Sequence, residues 1–208
     1  MPFKYTHTFA ENGELILWEI AETVRWFHER MTLSPALERE FRLIQVSEKR
    51  QQWMASRFAL QQLARTAVLD VIKDTYGKPH FVNDNRFISI SHCSGMAAAI
   101  SAEIPVGVDV EIIHPRVQRI RDRFLSADEI VIMGVTDADL ILAWSAKEAV
   151  YKMYGEKGLI FKEDICILKR NDELGTLAVR LCKGELAAEL TVHYKRIEEC
   201  VLSWVFNG

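Results

Sequence analysis

The sequence is poor in cysteine, with four in 208 residues and no Cys-x-x-Cys pair. Cys93, Cys166, Cys182 and Cys200 also lack histidines at metal-ligand spacing. That excludes a zinc finger or ribbon, and the thiols read as reduced. No run reaches the roughly 18–20 apolar residues that a membrane span needs. Residues Met1 to Thr8 show no basic segment followed by an apolar core, so no secretion signal is expected and the chain reads as cytoplasmic. A basic excess is missing too: 26 Lys and Arg stand against 29 Asp and Glu, a net charge of −3. Such a balance argues against a general nucleic-acid binder, although a local basic patch is compatible with it. What is present is ordinary: 49% hydrophobic and 26% charged residues, in a length that suits one domain or two small ones.

Hydrophobic spacing predicts helices over 14–30, 34–45 and 47–72, the second opened by Ser34 as N-cap with Pro35 behind it. Tyr76-Gly77-Lys78-Pro79 breaks the helical pattern. The period then changes to two. Ile88 and Ile90 alternate with Ser89 and Ser91, Cys93-Ser94-Gly95 turns the chain, and Met96 to Ser101 reads as the hairpin partner. Val106, Val108 and Val110 predict another strand. Short helices are expected at 117–125 and 127–133, and a longer one from Asp137 to Tyr154, ended by Gly155. Strands follow at 165–168, 177–182, 190–194 and 200–206. Helices and antiparallel strands are segregated, which predicts an α+β fold.

Four groups of residues carry candidate chemistry. In Gly107-Val108-Asp109-Val110-Glu111 the acids share one strand face, about 6.6 Å apart, and can converge on a divalent cation. Gly107, on the same face, would leave room for a ligand. Solvated acids on a half-exposed strand give the same pattern. In the helix 139–154, apolar residues run almost all the way round, while Trp144, Glu148 and Lys152 form one stripe beside Lys147 and Tyr151. Charges on so apolar a helix need partners, in a polar cleft or as a simple Glu148–Lys152 surface pair. Ser89 to Gly95 offers hydroxyl and backbone donors to a phosphate, as well as an ordinary polar hairpin tip. Arg57, set among Trp53, Phe58 and Leu60, is a better phosphate candidate than Lys49 or Arg50. Arg116, Arg119, Arg121 and Arg123 make a second basic cluster, with a solvated face as the default.

The pair Gly107-Val-Asp109-Val-Glu111 and Trp144-Ser-Ala-Lys147-Glu148-Ala-Val-Tyr-Lys152, separated by residues 112–143, resembles the 4′-phosphopantetheinyl transferases. Smaller features in the same order resemble that family: Tyr76-Gly77-Lys78-Pro79, Ile90-Ser91-His92, Arg123-Phe124-Leu125-Ser126 with Glu129, and Lys157-Gly158-Leu159. The likeness runs from about Arg57 to Leu159. The length is similar to the larger, Sfp-like branch. One departure is Cys93, where the family usually has Ser-His-Ser.

The resemblance implies two similar α+β halves in one monomeric chain, a pseudo-dimer with its active site at their interface. Residues 1–104 would take the nucleotide end of coenzyme A and 105–208 the metal. It further implies that Asp109, Glu111 and Glu148 bind Mg²⁺ with the pyrophosphate of coenzyme A. Lys152 would neutralise the pyrophosphate, and Glu148, directly or through a water, would act as base. Arg57, Lys78, Ser91 and His92 would hold the 3′-phosphoadenosine end, with Lys147 as a further phosphate or carrier contact. The implied reaction moves 4′-phosphopantetheine onto a serine of an acyl or peptidyl carrier protein, with no role for nucleic acid or membrane. A non-catalytic coenzyme A or carrier-binding module and a Mg²⁺-dependent nucleotide pyrophosphohydrolase are the rival readings.

Overall fold

The computed structural model describes residues 3–207. The chain is α+β and divides into two compact units, Met1–Val106 and Gly107–Gly208.

The first unit contains β1 (Phe3–Phe9), β2 (Gly13–Glu19), α1 (Val24–His28), β3 (Thr32–Leu33), α2 (Pro35–Leu43) and α3 (Ser47–Ala64). These are followed by β4 (Val68–Leu69), β5 (Val71–Lys73), β6 (Pro79–Phe81), β7 (Phe87–Cys93) and β8 (Met96–Ala102). Six strands form one sheet in the order β1-β2-β8-β7-β6-β5, and α3 packs on β8, β2 and β7. Trp18, Phe27, Phe41, Trp53 and Phe58 form an aromatic centre to that core.

Two helical expectations fail here. The segment 14–30 is not one helix: 13–19 is a strand, and only Val24–His28 is helical. Glu11 and Asn12 take positive φ of 57° and 51°, which closes the β1–β2 hairpin ahead of Gly13. Leu15, Ile16, Leu17 and Trp18 are all buried in β2, which lies between β1 and β8 and packs against α3. A contiguous apolar run of this kind is a buried strand that also matches a helical template. The helix expected over 47–72 stops at Ala64, where Arg65 turns left-handed at φ 52°. Gln61 Nε2 then donates to the carbonyls of Thr66 and Ala67, and the β-branched residues beyond enter β4 and β5. The Tyr76–Pro79 turn accordingly joins two strands. The Ser34 cap is present, with Leu37 N–H donating to Ser34 Oγ at 3.4 Å.

The second unit opens with β9 (Val106–Ile112), which begins at the boundary, and a 3₁₀ turn, Pro115–Arg119. Then come α4 (Arg121–Phe124), α5 (Ala127–Met133), α6 (Asp137–Tyr154) and α7 (Phe161–Asp164). Four strands close the chain: β10 (Ile165–Asn171), β11 (Thr176–Lys183), β12 (Leu186–Ile197) and β13 (Cys200–Phe206). The sheet order is β10-β11-β12-β13-β9, with α6 lying on β13 and β12. Leu140, Leu142, Ala146 and Val150 of α6 meet Leu177, Val179, Val192, Val201 and Val205 in one core.

Both ends of α6 are defined by sequence. Thr136 and Asp139 form a reciprocal capping box, and Gly155 at φ 82° ends the helix. Asp139 also receives Arg170 Nη1 at 2.7 Å and Arg196 Nη2 at 3.1 Å. Burial alone would raise the Asp139 carboxyl. The hydrogen bonds from Thr136 and Arg170, and the charge of Arg170, outweigh burial and hold it below its ordinary value. A carboxyl whose folded pKa is depressed contributes stability above its unfolded pKa, near 4, and loses it as pH falls through the folded value. Asp139→Asn is therefore expected to flatten the decline in thermal midpoint below about pH 4. Parallel acid slopes for the variant and the wild type would refute this.

Candidate active site

Strand alternation sets the first half of the site. Val106, Val108 and Val110 are fully buried, which turns Gly107, Asp109 and Glu111 to the opposite face. That face meets α6. A Cβ on Gly107 would lie 1.9 Å from the Ala149 carbonyl oxygen and 2.7 Å from the Met153 nitrogen. The space left by the missing side chain is filled by helix backbone, which corrects the expectation that it admits a ligand.

The second half comes from the stripe on α6. Lys152 Nζ donates to Asp109 Oδ1 at 2.7 Å, with the aspartate side chain 4% exposed. Trp144 Nε1 donates to Glu111 Oε1 at 3.3 Å, and Ser145 Oγ to the Asp109 carbonyl at 3.5 Å. β9 and α6 thus run in opposite directions, Glu111 beside Trp144 and Gly107 beside Ala149. Asp109, Glu111, Glu148 and Lys152, read from two separate motifs, are brought together.

The electrostatics follow from that assembly. Burial, then the negative charge of Asp109, pushes the Glu111 carboxyl up to about 7. The Trp144 hydrogen bond and Lys152 act against this, and Glu148 adds to it. Burial and Asp109 likewise raise Glu148, with Lys152 opposing. Three acids thus lie within electrostatic reach of one ammonium, which pairs with Asp109. Among the described residues, no three His, Cys, Asp or Glu side chains stand as a ready-made metal centre. The donor chemistry nevertheless fits a hard divalent cation: the donors are all carboxylate oxygens, mutually repelling, and few enough to leave positions for water and phosphate.

Beside Glu148 lies an open groove of about 540 Å³, walled by Phe124, Trp144, Tyr151 and Phe161, with Arg123 at its edge. Arg116, Arg119 and Arg123 are exposed, whereas Arg121 pairs with Asp122 at 3.1 Å.

Lys147 departs from expectation. Its side chain has no exposed surface. Nζ pairs with Glu129 Oε1 at 2.6 Å and donates to the carbonyls of Phe124 at 2.7 Å and Phe161 at 2.8 Å. An ammonium has three protons, and all three have acceptors here. The expected phosphate or carrier contact from Lys147 is replaced by an internal strut. Glu129 belongs to the site's support and was not singled out as a functional residue from sequence. The Ser126-x-x-Glu129 capping box was the available signal.

In the first unit, Arg57 lies on α3, 7% exposed, with its guanidinium 4.2 Å above the Trp53 ring and 3.4 Å from Glu40 Oε1. Burial lowers it to about 10, and Glu40 acts against that shift. Lys78 precedes β6 and lies 6.0 Å from the centre of the Phe87 ring, its pKa lowered by burial against the pull of Asp74. Ser91 is buried and His92 exposed, toward the other end of β7 from Phe87. Along an extended strand Phe87 and Ser91 lie about 13 Å apart.

Residues 105–205 match the family model of the 4′-phosphopantetheinyl transferase superfamily. This region of the chain is similar to that superfamily. The match contains all four residues that β9 and α6 bring together. Enterobactin synthase component D of Salmonella typhi is 35% identical over 80 residues. Those residues make up 36% of this chain and 34% of that protein, so the chain matches about a third of the relative's length. Among the described residues, no helix is long and apolar enough to cross a membrane.

Proposed function

We propose that this chain is an Sfp-like phosphopantetheinyl transferase, moving 4′-phosphopantetheine from coenzyme A to a serine of an acyl or peptidyl carrier protein. The observation that carries the reading is the convergence of Asp109 and Glu111 on β9 with Glu148 and Lys152 on α6, inside the superfamily match.

In this reading the serine oxygen attacks the β-phosphorus in line. The bond from that phosphorus to the oxygen bridging it to the α-phosphorus breaks, and 3′,5′-ADP leaves. The serine proton passes to Glu148 or to a water that Glu148 orients. Asp109, Glu111 and Glu148 would hold Mg²⁺, which when bound supplies charge neutralisation to the pyrophosphate. Lys152 exchanges part of its bond with Asp109 for a phosphate oxygen and offsets the charge growing on the leaving group. Arg57, Lys78, Ser91 and His92 are assigned to the 3′-phosphoadenosine end, in the half spanning 1–104. We assign the reaction to a cytoplasmic monomer.

The test is intact-mass spectrometry of apo carrier proteins incubated with this protein, coenzyme A and Mg²⁺. One carrier should come from an enterobactin synthase, given the name of the relative. The expected result is a mass gain of one phosphopantetheine arm, lost with EDTA. Coenzyme A split with no modified carrier would replace the reading with a pyrophosphohydrolase. Coenzyme A bound but unchanged would replace it with a binding module.

A further inference from the structure

We infer that the buried Lys147–Glu129 pair is a positioning device that sets the Glu111 carboxylate through the ring of Trp144. The pair is closed to solvent, with side-chain exposures of 0% and 3%. Glu129 is satisfied on every side: Oε2 accepts from Ser126 N–H at 2.8 Å, and Oε1 from Ile167 N–H at 2.9 Å as well as from Lys147. A buried ion pair is weak evidence for stability, since apolar replacements of both partners are often neutral. What this pair fixes is therefore the question.

Lys147 Nζ also holds two backbone carbonyls, those of Phe124 and Phe161. Each belongs to a helix of only four residues, α4 or α7. Segments so short have little intrinsic stability and depend on tertiary contacts for their position. The two rings carried by these segments flank Trp144. Phe124 meets it edge-on at 5.2 Å between centroids, and Phe161 lies tilted at 5.4 Å. The indole N–H between them reaches Glu111 Oε1 at 3.3 Å, just beyond the usual hydrogen-bond range. A few tenths of an ångström of ring movement would break that bond. The order of dependence is then ammonium, two carbonyls, two phenyl rings, indole, carboxylate. Lys147 touches neither Glu111 nor the groove. It is a positioning residue, adjacent in sequence to the proposed base.

The kinetic part of the test rests on the transfer reaction proposed above, and the spectroscopic part does not. The Trp144 indole N–H resonance is assigned in ¹⁵N-labelled protein by its absence in Trp144→Phe. Lys147→Met leaves Glu129 buried without its cation and is expected to unfold easily. Lys147→Met with Glu129→Gln removes both charges, keeps an acceptor for one of the backbone N–H groups that Glu129 serves, and is expected to recover part of the thermal midpoint. In the recovered double variant the indole resonance should stay shifted or broadened. Its kcat should remain down by about a hundredfold, the scale of an ångström misplacement, with KM for coenzyme A little changed. Lys147→Arg should restore part of both. A double variant with wild-type midpoint, wild-type indole resonance and full kcat would overturn the inference and leave the pair a structural one. If the double variant does not fold, Phe161→Leu reads the same link, because it keeps the carbonyl for Lys147 and removes only the ring. An unmoved indole resonance in Phe161→Leu would also overturn it. If no carrier is modified by the wild type, the transfer reading fails, and the indole resonance alone decides the positioning role.

Discussion

Gly107→Ala is expected to cost more function than any other single-methyl change in the second unit. The added carbon would lie 1.9 Å from the Ala149 carbonyl oxygen, so α6 has to move away from β9. That movement stretches Lys152 from Asp109 and Trp144 from Glu111 together, because both contacts cross the same seam. Forced overpacking destabilises by about 1–3 kcal/mol, which in a unit of this size lowers the midpoint by about 4–8 °C per kcal/mol. Misplacing the reacting groups by about 1 Å lowers transfer by about a hundredfold. Calorimetry and the carrier-modification assay read the two effects separately. Since the clash is with backbone, Ala149→Gly should not rescue the variant. Full transfer at the wild-type midpoint would show that the seam tolerates the methyl group and would remove Gly107 from the argument.

Glu148→Gln should behave in the opposite way, separating activity from stability. The substitution keeps the shape of the side chain and removes one of three acids that raise one another's pKa or interact with Lys152. Relief of like-charge repulsion predicts a midpoint unchanged or raised. Transfer is expected to fall by about 10²–10³-fold, the usual loss when one preorganised electrostatic partner is removed. Cation linkage gives an independent reading. A cation held only by the folded state stabilises the wild type by about 2.7 kcal/mol at a hundred times its Kd. That Mg²⁺-dependent rise in midpoint should shrink in Glu148→Gln. A variant that transfers normally would take Glu148 out of the site.

Much of the second unit was legible because its local signals agree. The Thr136 capping box, Gly155 and the apolar girth of 139–154 all specify α6, and the alternating valines specify β9. The i, i+4, i+8 spacing of Trp144, Glu148 and Lys152 placed them on one stripe, and two of the three now make contacts to β9. What the pattern could not give was the depth of each lysine. Lys147 and Lys152 look alike in sequence. One is enclosed by carbonyls from two short helices 23 and 14 residues away, the other sits 27% exposed beside an aspartate. Contacts at such separations depend on the fold, and helical spacing carries no information about them. In the first unit the failure was one of period: Leu15 to Trp18 fit both templates. What decides between them is the turn just upstream, where Glu11 and Asn12 take positive φ and close the β1–β2 hairpin.

The position of β13 has a consequence for biosynthesis. This strand carries none of the proposed site residues, yet it lies between β12 and β9 in the sheet, and α6 packs on it. A nascent chain that has emerged as far as Lys152 holds every proposed catalytic and metal-binding side chain and still lacks the surface that brings β9 and α6 together. The proposed transfer therefore requires Cys200–Phe206, and a product terminated before that strand would be inert despite a complete set of motifs.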